Sequence, residues 1–196
     1  MKIISTKALK YTLGFLAGLL SFSLFADPPP SSYIGFELTV TTQDQVFAEL
    51  SATKETRLLT DPKMRGYCYL SNNGVYAAFG FNPNREIETI EISEEILGAS
   101  CKLIDKPLAA CLGELCLGQN RKDVQAKVKE RITRIDDPAN STLEAIFYQY
   151  SMPLSEEQQR RFNDEYSEAY VLHNIWLKFD RDSLVYLGAI KKLDLP

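Results

Sequence analysis

Residues 65–81 read RGYCYLSNNGVYAAFGF, two β-prone runs on either side of Asn73-Gly74. Asn-Gly in that setting predicts a two-residue type I′ hairpin turn, because both central residues of such a turn take positive φ. The turn dictates a register: Asn72 opposite Val75, Ser71 opposite Tyr76, Leu70 opposite Ala77, Tyr69 opposite Ala78 and Cys68 opposite Phe79. Side chains alternate along a strand, so Cys68, Leu70, Val75, Ala77, Phe79 and Phe81 are expected on the core face. Tyr67, Tyr69, Ser71, Tyr76 and Ala78 are expected on a tyrosine-rich outer face.

Outward from this hairpin the chain alternates short helices and strands. Upstream, YIGFELTV (33–40) reads as a strand or extended entry. Thr42 and Gln45 fit a capping box that opens a helix over 43–52, and Asp61-Pro62 breaks the chain. Downstream, IETIEIS (87–93) follows the Asn82-Pro83-Asn84 turn as a strand. GELCLG (113–118) leads to Asn120, an N-cap for a helix over 121–135 whose apolar face is Val124, Val128, Ile132 and Ile135. TLEAIFYQY (142–150) reads as a strand, and Ser155 to Gln158 is a capping box for a polar helix to Ser167. Residues 170–179 and 184–192 form a closing hairpin, with Ile175, Leu177 and Phe179 inward and Asn174, Trp176 and Lys178 outward.

The order repeats. At a shift of 78, Gly35 meets Gly113, Thr42 meets Asn120, Val46 meets Val124, Ala48 meets Ala126 and Leu50 meets Val128. The expectation is an α+β chain of two tandem units, 33–106 and 107–196, each a short helix or helix pair packed on a small antiparallel sheet. The competing reading is one α+β domain with chance similarity between its halves.

The first 26 residues have the layout of a signal peptide. Lys2, Lys7 and Lys10 precede the apolar run YTLGFLAGLLSFSLFA (11–26), and the linker DPPPSS (27–32) follows. The run is short for a spanning helix. An uncleaved anchor is the alternative, since Leu24 stands where a small residue is preferred. Cleavage removes three of the 22 basic residues and none of the 26 acidic ones, leaving 19 against 26 and a net charge near −7. Such a balance argues against nucleic acid and against anionic membrane surfaces as partners.

A periplasmic or secreted location makes the four cysteines a disulfide framework. Cys68 with Cys101 and Cys111 with Cys116 is the favoured pairing among three. A zinc site is the rival, disfavoured by the wide CLGELC spacing and by His173 being the single histidine. No metal or other cofactor is expected.

Catalytic motifs are missing from the sequence. There is no G-x-S-x-G elbow, H-E-x-x-H, Walker loop, G-x-G-x-x-G or C-x-x-C. His173 reads as structural, and Glu156-Glu157 and Asp136-Asp137 as helix punctuation. Aromatic surface remains. Tyr67, Tyr69, Tyr76, Trp176 and Lys178 are the expected partner-binding residues, because Tyr and Trp give large, rigid contacts at low entropic cost. The expected function is a non-enzymatic protein-binding or inhibitor module with a protein partner in the envelope or extracellular space. A small carboxylate-dependent hydrolase and a structural envelope assembly factor are the alternatives.

The segment GELCLGQNRKDVQAKV (113–128) resembles the G-x-x-L-G-x-[ST]-x-x-x-V start found in small bacterial envelope proteins, among them the β-lactamase inhibitor protein and SmpA/OmlA-type assembly lipoproteins. It departs from that pattern at Asn120, which replaces Ser or Thr, and at Cys116, which sits before Leu117. The resemblance implies helix-plus-sheet units in tandem and protein binding through an open sheet face. It carries no contact residues over to this chain.

Overall fold

A computed structural model describes residues 30–58, 64–95, 101–128, 132–134, 143–154, 156–161 and 168–194. The expected signal peptide, Asp61-Pro62, Ile135 and the second half of the 155–167 helix lie outside the described residues. The chain is α+β and mostly sheet. Two small hairpins, β1 (Ser32–Tyr33) with β2 (Phe36–Glu37) and β8 (Cys111–Leu112) with β9 (Leu115–Cys116), each precede an eight-residue helix, α1 (Gln43–Leu50) and α2 (Arg121–Val128). The rest is β3 (Glu55–Arg57), β4 (Arg65–Ser71), β5 (Tyr76–Phe81), β6 (Ile87–Ser93), β7 (Lys102–Ile104), β10 (Ile132–Arg134), β11 (Leu143–Pro153), α3 (Glu156–Arg161), β12 (Glu168–Asp180) and β13 (Ser183–Asp194).

Nine of these strands make one sheet in the order β10-β11-β12-β13-β6-β5-β4-β3, with β7 running parallel to β4 beside Tyr69–Ser71. Its two flanks meet where β13 pairs with β6, Tyr186 opposite Ser93 through Ile190 opposite Thr89.

Local chemistry accounts for the helix starts. The Thr42 side chain accepts the Gln45 N–H, and the Gln45 carboxamide accepts the Thr42 N–H at 2.7 Å, a reciprocal capping box. The Asn120 side chain accepts the Lys122 N–H at 3.0 Å. Helix α1 stops at Ser51, whose φ is 68°. Helix α2 is shorter than its apolar periodicity predicts. Ile132 belongs instead to β10 and pairs with Ile146, so ladder bonds along a β-branched run outweigh the helical pattern.

One face of the sheet is covered. Val46 and Leu50 from α1, Val124 and Val128 from α2, and Tyr33, Phe36 and Leu38 from the entry segment pack on Tyr69, Phe79, Ile90, Ile92, Ile175, Leu177 and Leu187 in one continuous core. Tyr69 sits in this core with its hydroxyl donating to the Ser51 carbonyl at 2.8 Å.

That position corrects the expected register of the central hairpin. Cys68 lies opposite Ala78, Tyr69 opposite Ala77 and Leu70 opposite Tyr76, one residue out of step with a two-residue turn. Ser71 N–H bonds the Val75 carbonyl, and within the loop only Gly74 has positive φ, at 83°. The connection is therefore the three-residue loop Asn72-Asn73-Gly74, which ends on a left-handed glycine. Asn73 is held by its side chain, which donates to the Leu108 carbonyl and accepts the Leu108 N–H. The Ser71 hydroxyl donates to the Val75 carbonyl and accepts the Val75 N–H. These contacts decide the turn. A one-residue slip exchanges the faces of β4 alone, so Tyr67 and Tyr69 lie on the covered side with Ala77 and Phe79, and Cys68 and Leu70 on the other side with Tyr76 and Ala78, which keep the face expected of them.

Candidate functional site: the open face of the sheet

Cross-strand pairing sets the residues of the second face in rows. One row runs Ala145, Trp176, Gly188, Glu91, Ala78, Cys68 across β11 to β4. A neighbouring row runs Lys178, Tyr186, Ser93, Tyr76, Leu70, and the row on the other side runs Phe147, Asn174, Ile190, Thr89, Gly80, Gly66.

The two halves of this face differ. Over β4 to β6 it is covered by Leu58 and Met64, which pack with Cys68, Ala78, Tyr186 and Cys101. Two glycines admit Leu58. A Cβ on Gly66 would stand 2.7 Å from Leu58 Cδ2 and 2.5 Å from the Phe79 carbonyl oxygen, and one on Gly80 would stand 2.5 Å from Leu58 Cδ1. The Cys68–Cys101 disulfide, with Cα atoms 4.5 Å apart, ties the chain beyond β6 to this half. The Cys111–Cys116 disulfide spans β8 and β9 at a Cα separation of 4.0 Å. Both pairs are compatible with an extracellular or periplasmic location.

On β11 and β12 part of this face reaches solvent, while Ala145 on β11 and Tyr186, Gly188 and Ile190 on β13 are buried and Trp176 packs against the Leu58 cluster. Phe147 is 41 % exposed and Tyr170 55 %, and both are among the large apolar side chains that the molecule leaves in solvent. Trp176 is half-buried between the small residues Ala145 and Gly188, and its ring meets Phe147 edge-on with centroids 6.2 Å apart. Its indole N–H is buried without a hydrogen-bond partner among the described residues. Leu172 and Asn174 continue the surface, and Lys178 borders it with Nζ 2.6 Å from Glu95 Oε2.

The five residues singled out in the sequence do not form one patch. Trp176, Lys178 and Tyr76 share this face, but Tyr76 lies three strands from Lys178 along its row. Tyr69 is fully buried on the opposite side. Tyr67 is half-buried there, with its ring edge-on to Phe47 at 4.8 Å and its hydroxyl near Glu55. Phe147, Tyr170 and Leu172 share the face as well. Their signal was the strict alternation of β11 and β12, which places every second residue beside Trp176 once Ala145 is known to pair with it.

The ionisable groups with displaced pKa values lie on the covered side. Burial, then the nearby Lys191 charge, holds His173 down at about 4, while the Pro30 carbonyl acts in the opposite sense. Burial also lowers Lys191, which Glu37 partly offsets. Burial pushes the Tyr69 hydroxyl up to about 12. Arg121 bridges Glu144 and Asp182 and lies 4.4 Å over the Phe179 ring, a clamp between α2 and the β12–β13 tip. A recess of about 290 Å³ separates α1 from β7, and its lysines are occupied: Lys102 bonds the Ala52 carbonyl and Lys106 bonds Glu49. Among the described residues no three His, Cys, Asp or Glu side chains are placed to hold a metal ion.

No protein-family model, curated protein or solved structure matches this chain.

Proposed function

We propose that this chain is an exported, non-enzymatic binding or inhibitor module that takes a protein partner on the exposed part of this face, on β11 and β12. The observation that carries the reading is Trp176. Its ring anchors the edge of the exposed Phe147, and Phe147 and Tyr170 offer aromatic area in solvent of the kind that binding hot spots use. Two large aromatic side chains left in solvent on one sheet face also suit an interaction site. Cleavage after Ala26 would release the chain into the periplasm or medium, where its disulfides persist.

We infer further that the chain is two tandem units, residues 33–106 and 107–196, of the kind its resemblance to small envelope proteins implies. The support is a repeated order. Each half has a two-strand hairpin and then a capped eight-residue helix whose cap residue bridges to the sheet, Thr42 to Glu86 and Asn120 to Ser183. A four-strand antiparallel run follows in each, β3 to β6 and β10 to β13, and the last strands lie side by side.

The test is a crosslinking pull-down with the chain from Asp27, using native envelope and culture fluid, read by mass spectrometry. One dominant protein should be captured, and Trp176→Ala with Phe147→Ala should reduce capture by about 30-fold, the effect of a hot spot worth ~2 kcal/mol. Undiminished capture by the double variant would remove this face from the reading. No captured protein together with turnover of a cell-wall glycan would replace it with the hydrolase alternative.

A further inference from the structure

We propose that the outer edge of β11, from Phe147 to Pro153, pairs antiparallel with the same strand of a second copy of this chain, joining two sheets into one. Strand β12 pairs with the inner side of β11 along its whole length. On the outer side β10 reaches only Glu144, Ala145 and Ile146. Seven residues, about 23 Å of strand, therefore present alternate N–H and C=O groups with no strand partner among the described residues.

Exposed edges are normally blunted by charge. The other edge segments of this sheet obey that rule. Strand β3 carries Glu55 and Arg57, β7 carries Lys102, and β10 carries Arg134. The stretch of β13 beyond its pairing with β6 carries Lys191, Lys192 and Asp194. Residues 147–153, FYQYSMP, carry no charge, and their proline stands at the final position, where it ends pairing rather than preventing it.

The same composition selects a second copy as the occupant. About a two-fold axis at Tyr150, Phe147 of one copy falls opposite Pro153 of the other, Gln149 opposite Ser151 and Tyr150 opposite itself. All seven residues are used, and no like charges meet across the junction, although the chain as a whole is acidic. The junction also continues the open face, since Phe147, Gln149 and Ser151 alternate onto the side that holds Trp176. Two copies joined there present two such faces in one surface, which gives avidity toward a repeated or dimeric partner.

Sedimentation velocity of the chain from Asp27, over ~1 to ~100 µM, tests this. The wild-type protein should sediment as a dimer in the upper part of that range. Gln149→Lys with Ser151→Lys, at two exposed positions, sets lysine against lysine in both cross-strand pairs. That variant should need a concentration about tenfold or more higher to dimerise, while its circular dichroism and thermal midpoint stay those of the wild type. Gln149→Thr with Ser151→Thr should dimerise as the wild type does. A wild-type monomer throughout the range overturns the proposal, as does a lysine variant that dimerises unchanged. So does a monomer that binds an extended peptide of another sequence at this edge.

Discussion

Removing the Cys68–Cys101 disulfide should cost more stability than removing Cys111–Cys116, and the reason lies in the unfolded chain. The two bonds close separations of 33 and 5 residues. In the chain-entropy account these loops are worth about 3.7 and about 2 kcal/mol at 25 °C. A chain of this size loses about 2–4 °C of thermal midpoint per kcal/mol, so the shifts are about 7–15 °C and about 4–8 °C. Alanine pairs are the right substitutions. Cys68 is buried among Leu58, Ala78 and Tyr186, where a serine hydroxyl would add a desolvation cost of its own. Urea unfolding followed by circular dichroism supplies the check. The midpoint should fall in both double variants, further in the first, and the denaturant slope should rise because the unfolded chain expands. If C68A/C101A loses no more than C111A/C116A, with both proteins two-state, loop entropy is not what these bonds supply.

Other outcomes follow from the two faces. His173 is held at about 4 in the folded protein against 6.5 for a solvated imidazole. The unfolded state therefore binds the extra proton, and about 3 kcal/mol of stability present above pH 6.5 is lost as pH falls toward 4. Urea midpoints between pH 7 and 4 should show that slope, and His173→Gln should flatten it. Gly66→Ala should destabilise by about 1–3 kcal/mol, because its Cβ would press on a backbone carbonyl that cannot yield. Equilibrium unfolding of that variant checks the close approach of Leu58. Tyr69→Ala should cost about 3–5 kcal/mol of stability, and Trp176→Ala much less, while partner capture should depend on Trp176.

The element order was readable because its signals are local. The Thr42–Gln45 box, the Asn120 cap, the β6 strand and the alternation of β12 each need only neighbouring residues to act. What the sequence concealed depends on contacts between distant segments. The central turn is decided by Leu108, 35 residues from Asn73, and that single slip moved two tyrosines from one face to the other. The two-residue turns with positive φ occur elsewhere, at Ile34-Gly35 and Arg181-Asp182, where composition gives weaker notice. The end of α2 was hidden for the same reason. Its continuation is claimed by β11, which lies beyond Asp137-Pro138 in sequence. The outward placement of Trp176 and Lys178 was legible, since their strand alternates cleanly. Phe147 could not be assigned until its pairing with Asn174 was known.

The β13–β6 seam sets the order in which this protein can be completed. A chain synthesised from its N-terminus presents β6 early, yet the strand that closes its edge arrives some 90 residues later. Until then β6 is an unsatisfied central strand, and β4 to β6 form a half-sheet with one open side. Topologies whose decisive contacts span such separations fold slowly. In a nascent chain residues 87–93 therefore stay an unpaired strand edge until β13 is made, and pairing with a neighbouring copy is the competing outcome.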